Sequence, residues 1–199
     1  MDLSATDAEL VAAALAGDTH AFTFLYRRHA PVVGRRLRYI VGNSEDARDL
    51  LQMTFVEVHR CLARYQPDRP FGAWLHGIAF HVTGRYLKAR RRKWWLSFGE
   101  ATPERSRPSD LASSTETRVS QRQEVAEVFA VLNEMGADKR IAFVLREFEQ
   151  LDLSEVASLT QVTRQTAWAR IESARRELRS KLRLDGAAAE GSRQNKGST

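Results

Sequence analysis

The stretch RYLKARRRKWWL, residues 85–96, places six cationic side chains in nine positions directly before two tryptophans. Cations near the carboxyl end of a helix are favourable with the helix dipole, which accounts for one or two of them. Five cations between Lys88 and Lys93 exceed that need. A groove that offers cations to phosphates and aromatic rings to unstacked bases can hold single-stranded nucleic acid. We therefore expect a nucleic-acid surface here, although Trp94 and Trp95 could instead pack beneath the following segment.

Histidines are the side chains of this sequence best suited to binding a metal ion. His76 and His81 lie five residues apart, so they are poorly aligned on one helix face, and no HExxH-like arrangement or phosphate-cradling glycine loop accompanies them. The remaining histidines are His20, His29 and His59. We therefore expect no enzymatic activity, no metal and no cofactor. Turnover that depends on added metal would contradict this expectation.

The composition points to a polyanionic partner and a reducing compartment. Among 199 residues, 31 are Lys or Arg and 25 are Asp or Glu, a formal net charge of +6, and a basic protein favours nucleic acid. The single cysteine, Cys61, excludes an intramolecular disulfide framework and is predicted to project inward. The acidic start MDLSATDAEL lacks an apolar core, and no stretch approaches the roughly 20 apolar residues that span a bilayer. We expect a cytoplasmic protein without membrane insertion.

A change of composition at Ser97 predicts two small domains joined by a flexible linker. Residues 97–119 contain two prolines and many small polar side chains, with almost no apolar periodicity. Such a linker is long enough to let the two units lie far apart. Residues 185–199 have the composition of a disordered tail. The predicted domains are residues 1–96 and 120–184.

Both units are predicted to be helical, which makes the fold all-α. Apolar residues recur three and four positions apart, and the alternating runs typical of strands are missing. Ser4 or Asp7 is expected to cap the first helix, Ser44 the third, and Ser154 and Thr163 the last two. The first helix is expected to end at residue 16, and the others to span 20–41, 44–65, 71–93, 119–135 and 138–150, followed by a short and a long helix.

The predicted third helix combines a core face with an unusual outer face. Projection at about 100° per residue assigns to the core face Ala47, Leu50, Leu51, Phe55, Val58, Cys61 and Leu62. The opposite face carries Asp49, Gln52, Met53, Val56 and Arg60. Met53 and Val56 are apolar side chains at positions that are predicted to face solvent, and polar groups flank them. This favours docking of a protein partner, although two incidental surface residues explain the pattern equally well.

Residues 151–182 are predicted to form a helix-turn-helix. Ala157 is small enough to let two helices cross closely, and a tight turn precedes the long helix. Gln161 stands where glycine is usual, so a left-handed backbone there costs roughly 1 kcal/mol. The long helix turns its apolar residues inward and offers its outer face to a major groove. A plain helical hairpin is the alternative.

The order of these features resembles the extracytoplasmic-function sigma factors, the compact bacterial subunits that give RNA polymerase its promoter choice. The most specific segment is EDARDLLQMTF, which is similar to the family's core-binding helix with its Asp-Leu-x-Gln-x-Thr-Phe pattern. FGAWLHGIAFHVTGRYLKARRR is similar to the segment that melts the minus-ten element, and VASLTQVTRQTAWARIESARREL to the reader of the minus-thirty-five element. The resemblance covers roughly residues 5–96 and 121–184.

The resemblance implies a role for each segment. It places five residues in the helix that docks on polymerase: Asp49, Leu50, Gln52, Thr54 and Phe55. The helix projection turns Leu50 and Phe55 inward. The predicted contacts with polymerase are therefore Asp49, Gln52, Met53, Val56 and Arg60. The predicted minus-ten contacts are His76, Phe80, Thr83, Lys88, Arg90, Arg91, Arg92 and Lys93. The predicted minus-thirty-five contacts are Arg164, Gln165, Thr166, Trp168, Ala169, Arg170, Glu172, Ser173 and Arg176. Trp168 and Ala169 replace the basic and hydroxyl residues common in the family, which favours readout of DNA shape.

The function implied is binding rather than catalysis. The chain would bind core RNA polymerase, hold the unpaired nontemplate strand of promoter DNA and read the upstream element. Sigma factors of this type are usually held inactive by an anti-sigma factor, which we expect as a further partner and which could hold the protein at a membrane. A stand-alone helix-turn-helix regulator would explain the second unit only; tight duplex binding without polymerase would favour it.

Overall fold

The computed structural model describes residues 5–96 and 126–194, and the regular structure in these ranges is entirely helical. The first unit contains α1 (Asp7–Leu15), α2 (Thr19–Val41), α3 (Ser44–Cys61), a 3-10 turn (Leu62–Arg64) and α4 (Phe71–Leu96). The second contains α5 (helical over 126–134), α6 (Ala137–Glu147), α7 (Leu153–Thr160) and α8 (Arg164–Gln194). The predicted all-α class is confirmed. The predicted linker, residues 97–119, lies outside the described residues, and the helical backbone of α8 continues into the predicted tail.

Helix starts differ from the sequence expectation by one or two residues. Thr6 caps α1 in a capping box with Glu9, and Asn43 caps α3 through hydrogen bonds from the amides of Glu45 and Asp46. The expected caps Asp7 and Ser44 are therefore wrong, and Ser4 lies outside the described residues. Asp7 instead pairs with Arg28 at 2.7 Å and with His29 at 2.9 Å, which ties α1 to α2.

The core of the first unit lies between α2, α3 and α4. Leu25, Val33, Leu37 and Ile40 of α2 are fully buried, and the buried residues of α3 are Ala47, Leu50, Thr54, Phe55 and Val58. The projected core face of α3 is thus correct at its centre, whereas Leu51 and Cys61 at its edges are only half-buried. Cys61 donates its thiol hydrogen to the Glu57 carbonyl at 2.9 Å. Trp74 of α4 is half-buried and packs on the rings of Tyr65 and Phe71.

The second unit contains the predicted helix-turn-helix. Asp152 caps α7 in a capping box with Glu155, so the expected cap Ser154 is wrong. Gln161 ends α7 in the left-handed conformation, at φ 55° and ψ 42°, as its position in the turn predicts. Thr163 accepts the Thr166 amide at 3.2 Å, which confirms it as the cap of α8. The buried residues that join the two helices are Val156, Ala157, Ala167, Ile171 and Ala174.

The two units are in contact, although the length of the linker permits them to lie apart. Helix α4 packs against α6 and α7, and α2 packs against α6. Tyr39 at the end of α2 meets the ring of Phe148 at 5.9 Å between centroids. No helix of the described residues has both the length and the apolar composition needed to cross a membrane.

Candidate functional site

The outer face of α3 is exposed along its length, as the projection predicts. We call Asp49, Gln52, Met53, Val56 and Arg60 the α3 stripe; all five side chains face solvent. Met53 is 53% exposed and Val56 52%, so two apolar side chains lie in water beside a carboxylate, an amide and a guanidinium. Leu50 and Phe55 lie on the opposite side in the core. The stripe therefore presents an apolar centre with a polar rim, which is the composition of a protein docking site.

Apart from Arg90, the predicted minus-ten residues of α4 divide into two groups. Lys88, Arg91, Arg92 and Lys93 are exposed, and we call these four the cationic end of α4. His76, Phe80 and Thr83 are buried, with 5%, 6% and 0% of their surface exposed. The structure therefore does not bring the two groups together on one open surface. The helical backbone includes Trp94 and Trp95, whose side chains lie outside the described residues.

His76 uses both of its ring nitrogens in hydrogen bonds. Its Nδ1 donates to the Gly72 carbonyl at 2.6 Å, which leaves Nε2 to accept from Nη1 of Arg36 at 2.7 Å. Burial lowers the pKa of the imidazole to about 4, and the charge of Arg36 acts in the same direction. His76 is therefore uncharged at neutral pH. A neutral, buried imidazole supplies no phosphate contact in this arrangement.

Arg90 links the cationic end to the second unit. It is half-buried, pairs with Asp46 of α3 at 3.3 Å and donates a hydrogen bond to the side chain of Asn133. Asn133 also accepts a 2.7 Å hydrogen bond from Arg140, whose side chain is almost fully buried. Burial lowers the pKa of Arg140 to about 9, with the charge of Arg90 acting in the same direction. Arg140 remains a cation at neutral pH, so two cations share one amide acceptor.

A second ionic contact joins the units at the carboxylate of Glu149, which is only 6% exposed. Arg35 donates to its two oxygens at 3.1 and 3.2 Å, and Arg36 donates at 3.3 Å. Burial alone would raise the pKa of this carboxyl, but Arg35 and Arg36 bring it below its ordinary value. Sequence reasoning missed this cluster. Arg35 and Arg36 lie 114 and 113 residues before Glu149 in the sequence, so no local pattern indicates the contact.

The start of α8 presents most of the predicted minus-thirty-five residues to solvent. The exposed members are Arg164, Gln165, Thr166, Trp168, Ala169 and Arg176, while Arg170, Glu172 and Ser173 are half-buried. Trp168 is 57% exposed. Arg170 pairs with Asp138 at 3.5 Å, and Glu172 accepts from Arg175 at 2.7 Å. The free polar groups are therefore concentrated in the first turn, where a recognition helix meets bases.

Metal chemistry has no site in the described part of the chain. No group of three or more His, Cys, Asp or Glu side chains is arranged there to hold a metal ion.

A cleft of about 520 Å³ lies between α2, α4 and α7, with His76, Leu151 and Leu159 in its lining. Its walls come from both units, so its shape depends on their contact.

Comparison with known proteins matches both units. The family model of sigma-70 region 2 matches residues 25–95, and that of sigma-70 region 4 matches residues 126–178. The ECF RNA polymerase sigma-E factor of Salmonella typhimurium is 30% identical over 189 residues, covering 89% of this chain and 94% of that protein. The RNA polymerase sigma-H factor of Pseudomonas aeruginosa is 30% identical over 174 residues, covering 85% and 90%. Among solved structures, the sigma factor RpoE of Bartonella quintana, in complex with the anti-sigma factor NepR, shares the fold with a TM-score of 0.57 at 19% identity, covering 82% of this chain and 98% of that one.

Proposed function

Because this chain belongs to the ECF sigma factors, which direct promoter-specific initiation by RNA polymerase, we propose which of its surfaces perform each part of that function. The α3 stripe docks on core RNA polymerase. Helix α4 holds the unpaired strand of the minus-ten element, and the first turns of α8 read the minus-thirty-five element. The family excludes a stand-alone regulator, since region 2 is matched as well as region 4. The chain acts by binding and performs no chemical step of its own.

The assignment of the α3 stripe rests chiefly on the exposure of Met53 and Val56. Exposed apolar side chains with polar neighbours gain free energy when a partner covers them, and such residues at the centre of an interface contribute most of its affinity. The core side chains of α3 keep the helix rigid, so the stripe needs no rearrangement before docking. Asp49 and Arg60 at its rim supply orientation rather than most of the affinity.

We expect the double substitution Asp49→Ala plus Met53→Ala to weaken binding to bacterial core RNA polymerase by at least about tenfold, since about 1.4 kcal/mol corresponds to one decade. Both side chains are exposed, so thermal unfolding should be unchanged within about 0.5 kcal/mol. Affinity measured by fluorescence anisotropy and promoter-dependent run-off transcription are the two readouts. Arg48→Ala is the matched control, because Arg48 is exposed on α3 outside the stripe. Equal binding by wild type and the double variant would contradict the assignment.

The minus-ten assignment has two supports in α4. Lys88, Arg91, Arg92 and Lys93 are exposed and offer cations to phosphates. The ring of Phe80 and the polar side chains of His76 and Thr83 lie on one face of the same helix, where an unstacked base needs a surface to pack on. Because all three side chains are buried and α6 and α7 of the second unit pack against α4, the units must separate before this face can take a base.

For the minus-thirty-five assignment we expect two substitutions to act differently. Arg176→Ala should weaken duplex binding by the polymerase holoenzyme about equally for all upstream sequences and lower the slope of log affinity against log salt by about 1. Trp168→Ala should instead change the preferred upstream sequence, because an exposed ring has no charge for phosphate but can contact thymine methyl groups. Run-off transcription from a library of upstream sequences at two salt concentrations separates the two effects. A uniform loss for Trp168→Ala would contradict its reading role.

We also propose an anti-sigma factor as a partner and the cytoplasm as the place of action. RpoE of B. quintana, which has the same fold, was crystallised with such a protein. Core polymerase and promoter DNA are found in the bacterial cytoplasm, and an anti-sigma factor with a membrane anchor could hold the chain at the membrane. Pull-down from the native cell with the full-length chain, followed by identification of the bound protein, tests this proposal.

A further inference from the structure

Region 4, the second unit, packs against α4, the helix that the proposed function assigns to the minus-ten strand. His76, Phe80, Thr83 and Leu87 recur at helical spacing on one face of α4, and all are buried. His76 lines the cleft that Leu151 and Leu159 of region 4 also line. Helices α6 and α7 pack against α4. The approach is close, since a Cβ atom added to Gly77 would lie 2.3 Å from the side-chain amide of Gln161. A DNA strand and region 4 therefore compete for the same side of α4.

The covering contact has an ionic part centred on Glu149. Three hydrogen bonds from Arg35 and Arg36 reach its carboxylate, and Arg36 is itself anchored through His76. The carboxylate belongs to region 4 and both arginines to region 2, so this cluster exists only while the two regions are in contact. With 6% of its side chain exposed, Glu149 is shielded from the salt screening that weakens surface pairs.

An apolar part of the contact surrounds the end of α2. Phe129 and Phe148 of region 4 lie 6.1 Å apart between ring centroids, and Phe148 packs on Tyr39. The ring of Phe129 reaches Gly42, where an added Cβ would lie 2.7 Å from its Cδ1. This patch adds burial beside the ionic cluster, but Phe148 is still 38% exposed, so the contact is only partly closed to water.

The same contact carries an unfavourable feature that opposes closure. Arg140 is 1% exposed, and among the described residues its Nε and Nη2 have no hydrogen-bond acceptor. Arg90 of region 2 reaches the same Asn133 side chain, so two cations share one amide acceptor, although Arg90 also pairs with Asp46 at 3.3 Å. A buried cation with unsatisfied donors destabilises its surroundings. The Glu149 cluster acts against this cost, because it holds the same two regions together.

We propose that the free chain closes on itself, with Glu149 as the latch that holds region 4 over the strand-binding face of α4, and that opening of this latch accompanies promoter binding. The inference rests on the proposed role of α4 in holding the minus-ten strand. Apparent affinity for the strand is reduced in proportion to the small fraction of open chains. By reciprocity, a bound strand shifts the chain towards its open form.

The latch is tested by a distance measurement on the full chain without polymerase. In a Cys61→Ser background, spin labels are attached to Arg48→Cys on α3 and Ser180→Cys on α8, both of which are exposed positions. Electron double resonance then reports the separation of the two regions. When Glu149 is present, we expect a single short distance between the two spin labels. In Glu149→Gln we expect part of the population to shift to longer and more broadly distributed distances. Glu149→Lys, which places a third cation at the cluster, should open the chain further.

Glu147→Gln is the matched control, because it removes the same charge two residues away. The Glu147 carboxylate pairs with Arg175 at 2.6 Å inside region 4, so this variant should keep the short distance. In the unlabelled chain, we expect Glu149→Gln to bind a short single-stranded DNA of mixed sequence about threefold to tenfold more tightly than Glu147→Gln. The equal net charge of the two variants removes the general electrostatic effect from this comparison.

Two results would overturn the latch: long distances in the wild-type background, or equal distance distributions for Glu147→Gln and Glu149→Gln. Opening by Glu149→Gln without tighter strand binding would leave the latch in place and overturn the role of α4 in strand binding. The distance and affinity measurements thus separate a failure of this inference from a failure of the proposed function.

Discussion

His76 is a side chain whose charge state depends on its surroundings more than on its own chemistry. Its two ring nitrogens are occupied by the Gly72 carbonyl and by Arg36, and protonation of Nε2 would replace a hydrogen bond with a repulsion between cations. Burial lowers the imidazole pKa from 6.5 to about 4. The unfolded chain therefore binds a proton at a higher pH than the folded chain does. Acid should destabilise the fold through this residue.

We predict that the free energy of unfolding falls as the pH drops from about 6.5 to about 4, with His76 contributing up to roughly 3 kcal/mol. The contribution is fully present at pH values above the pKa of His76 in the unfolded chain. It is lost at lower pH, because the unfolded chain then binds a proton at His76 and the folded chain does not. Urea unfolding at several pH values should show a weaker pH dependence for His76→Gln than for wild type.

His81→Gln is the control for this prediction, because His81 is exposed on the same helix. Glu149 also loses its stabilising effect in acid, since its folded-state pKa is lowered, and that loss is common to wild type and His81→Gln. An unchanged pH dependence in His76→Gln would mean that the imidazole is not buried as described.

At the scale of the element, α7 illustrates how a short helix begins and ends through local contacts. Asp152 accepts the Glu155 amide at 2.8 Å, and the Glu155 carboxylate accepts the Asp152 amide at 2.7 Å. At the other end, the Val162 amide donates to the Ala157 carbonyl at 3.0 Å across the left-handed Gln161. These contacts set the angle at which α8 leaves the turn, and hence which face of α8 is exposed.

The two candidate caps of α7 give a direct test. We predict that Asp152→Ala lowers the free energy of unfolding by about 1 kcal/mol, because the Glu155 amide loses its acceptor. Ser154→Ala should change it by less than about 0.5 kcal/mol, since Ser154 lies inside the helix and is exposed. Chemical unfolding followed by circular dichroism measures both. A larger loss in Ser154→Ala would reverse the assignment of the cap.

For the molecule as a whole, Gly42 connects the end of one helix with the contact between the regions. It ends α2 in the left-handed conformation, at φ 73°, which glycine adopts without strain. The same position lies against the Phe129 ring of region 4. A side chain at residue 42 would therefore strain the helix end and push region 4 away. Gly17, at φ 97°, needs the same freedom but has open space around it.

We predict that Gly42→Ala and Gly17→Ala each destabilise the chain by about 1 kcal/mol or somewhat more, from the left-handed backbone alone. Only Gly42→Ala should also lengthen the distance between spin labels on α3 and α8. Thermal unfolding and electron double resonance on the same pair of variants measure the two effects. A lengthened distance in Gly17→Ala, or an unchanged one in Gly42→Ala, would show that the Phe129 contact does not control closure.

Local interactions explain why much of this protein was predictable from its sequence. Hydrogen bonds within helices join residues four positions apart, so the apolar periodicity of α3 predicted both its buried side and the exposed α3 stripe. The turn at Gln161 and the cap at Thr163 were predictable for the same reason, since they depend on hydrogen bonds between residues only a few positions apart. Caps predicted at Ser44 and Ser154 were off by one or two residues, because neighbouring Asn43 and Asp152 are equally good caps and only the backbone decides between them.

The helical class, the family and the outward-facing residues of α3 and α8 were predictable from the amino-acid sequence, since these depend on motifs and on spacing along one helix. The burial of His76, Phe80 and Thr83 and the pairing of Glu149 with Arg35 and Arg36 are visible only in the three-dimensional packing. Contacts between residues more than a hundred positions apart depend on how two packed surfaces fit, and the composition of a long connecting segment does not specify that fit.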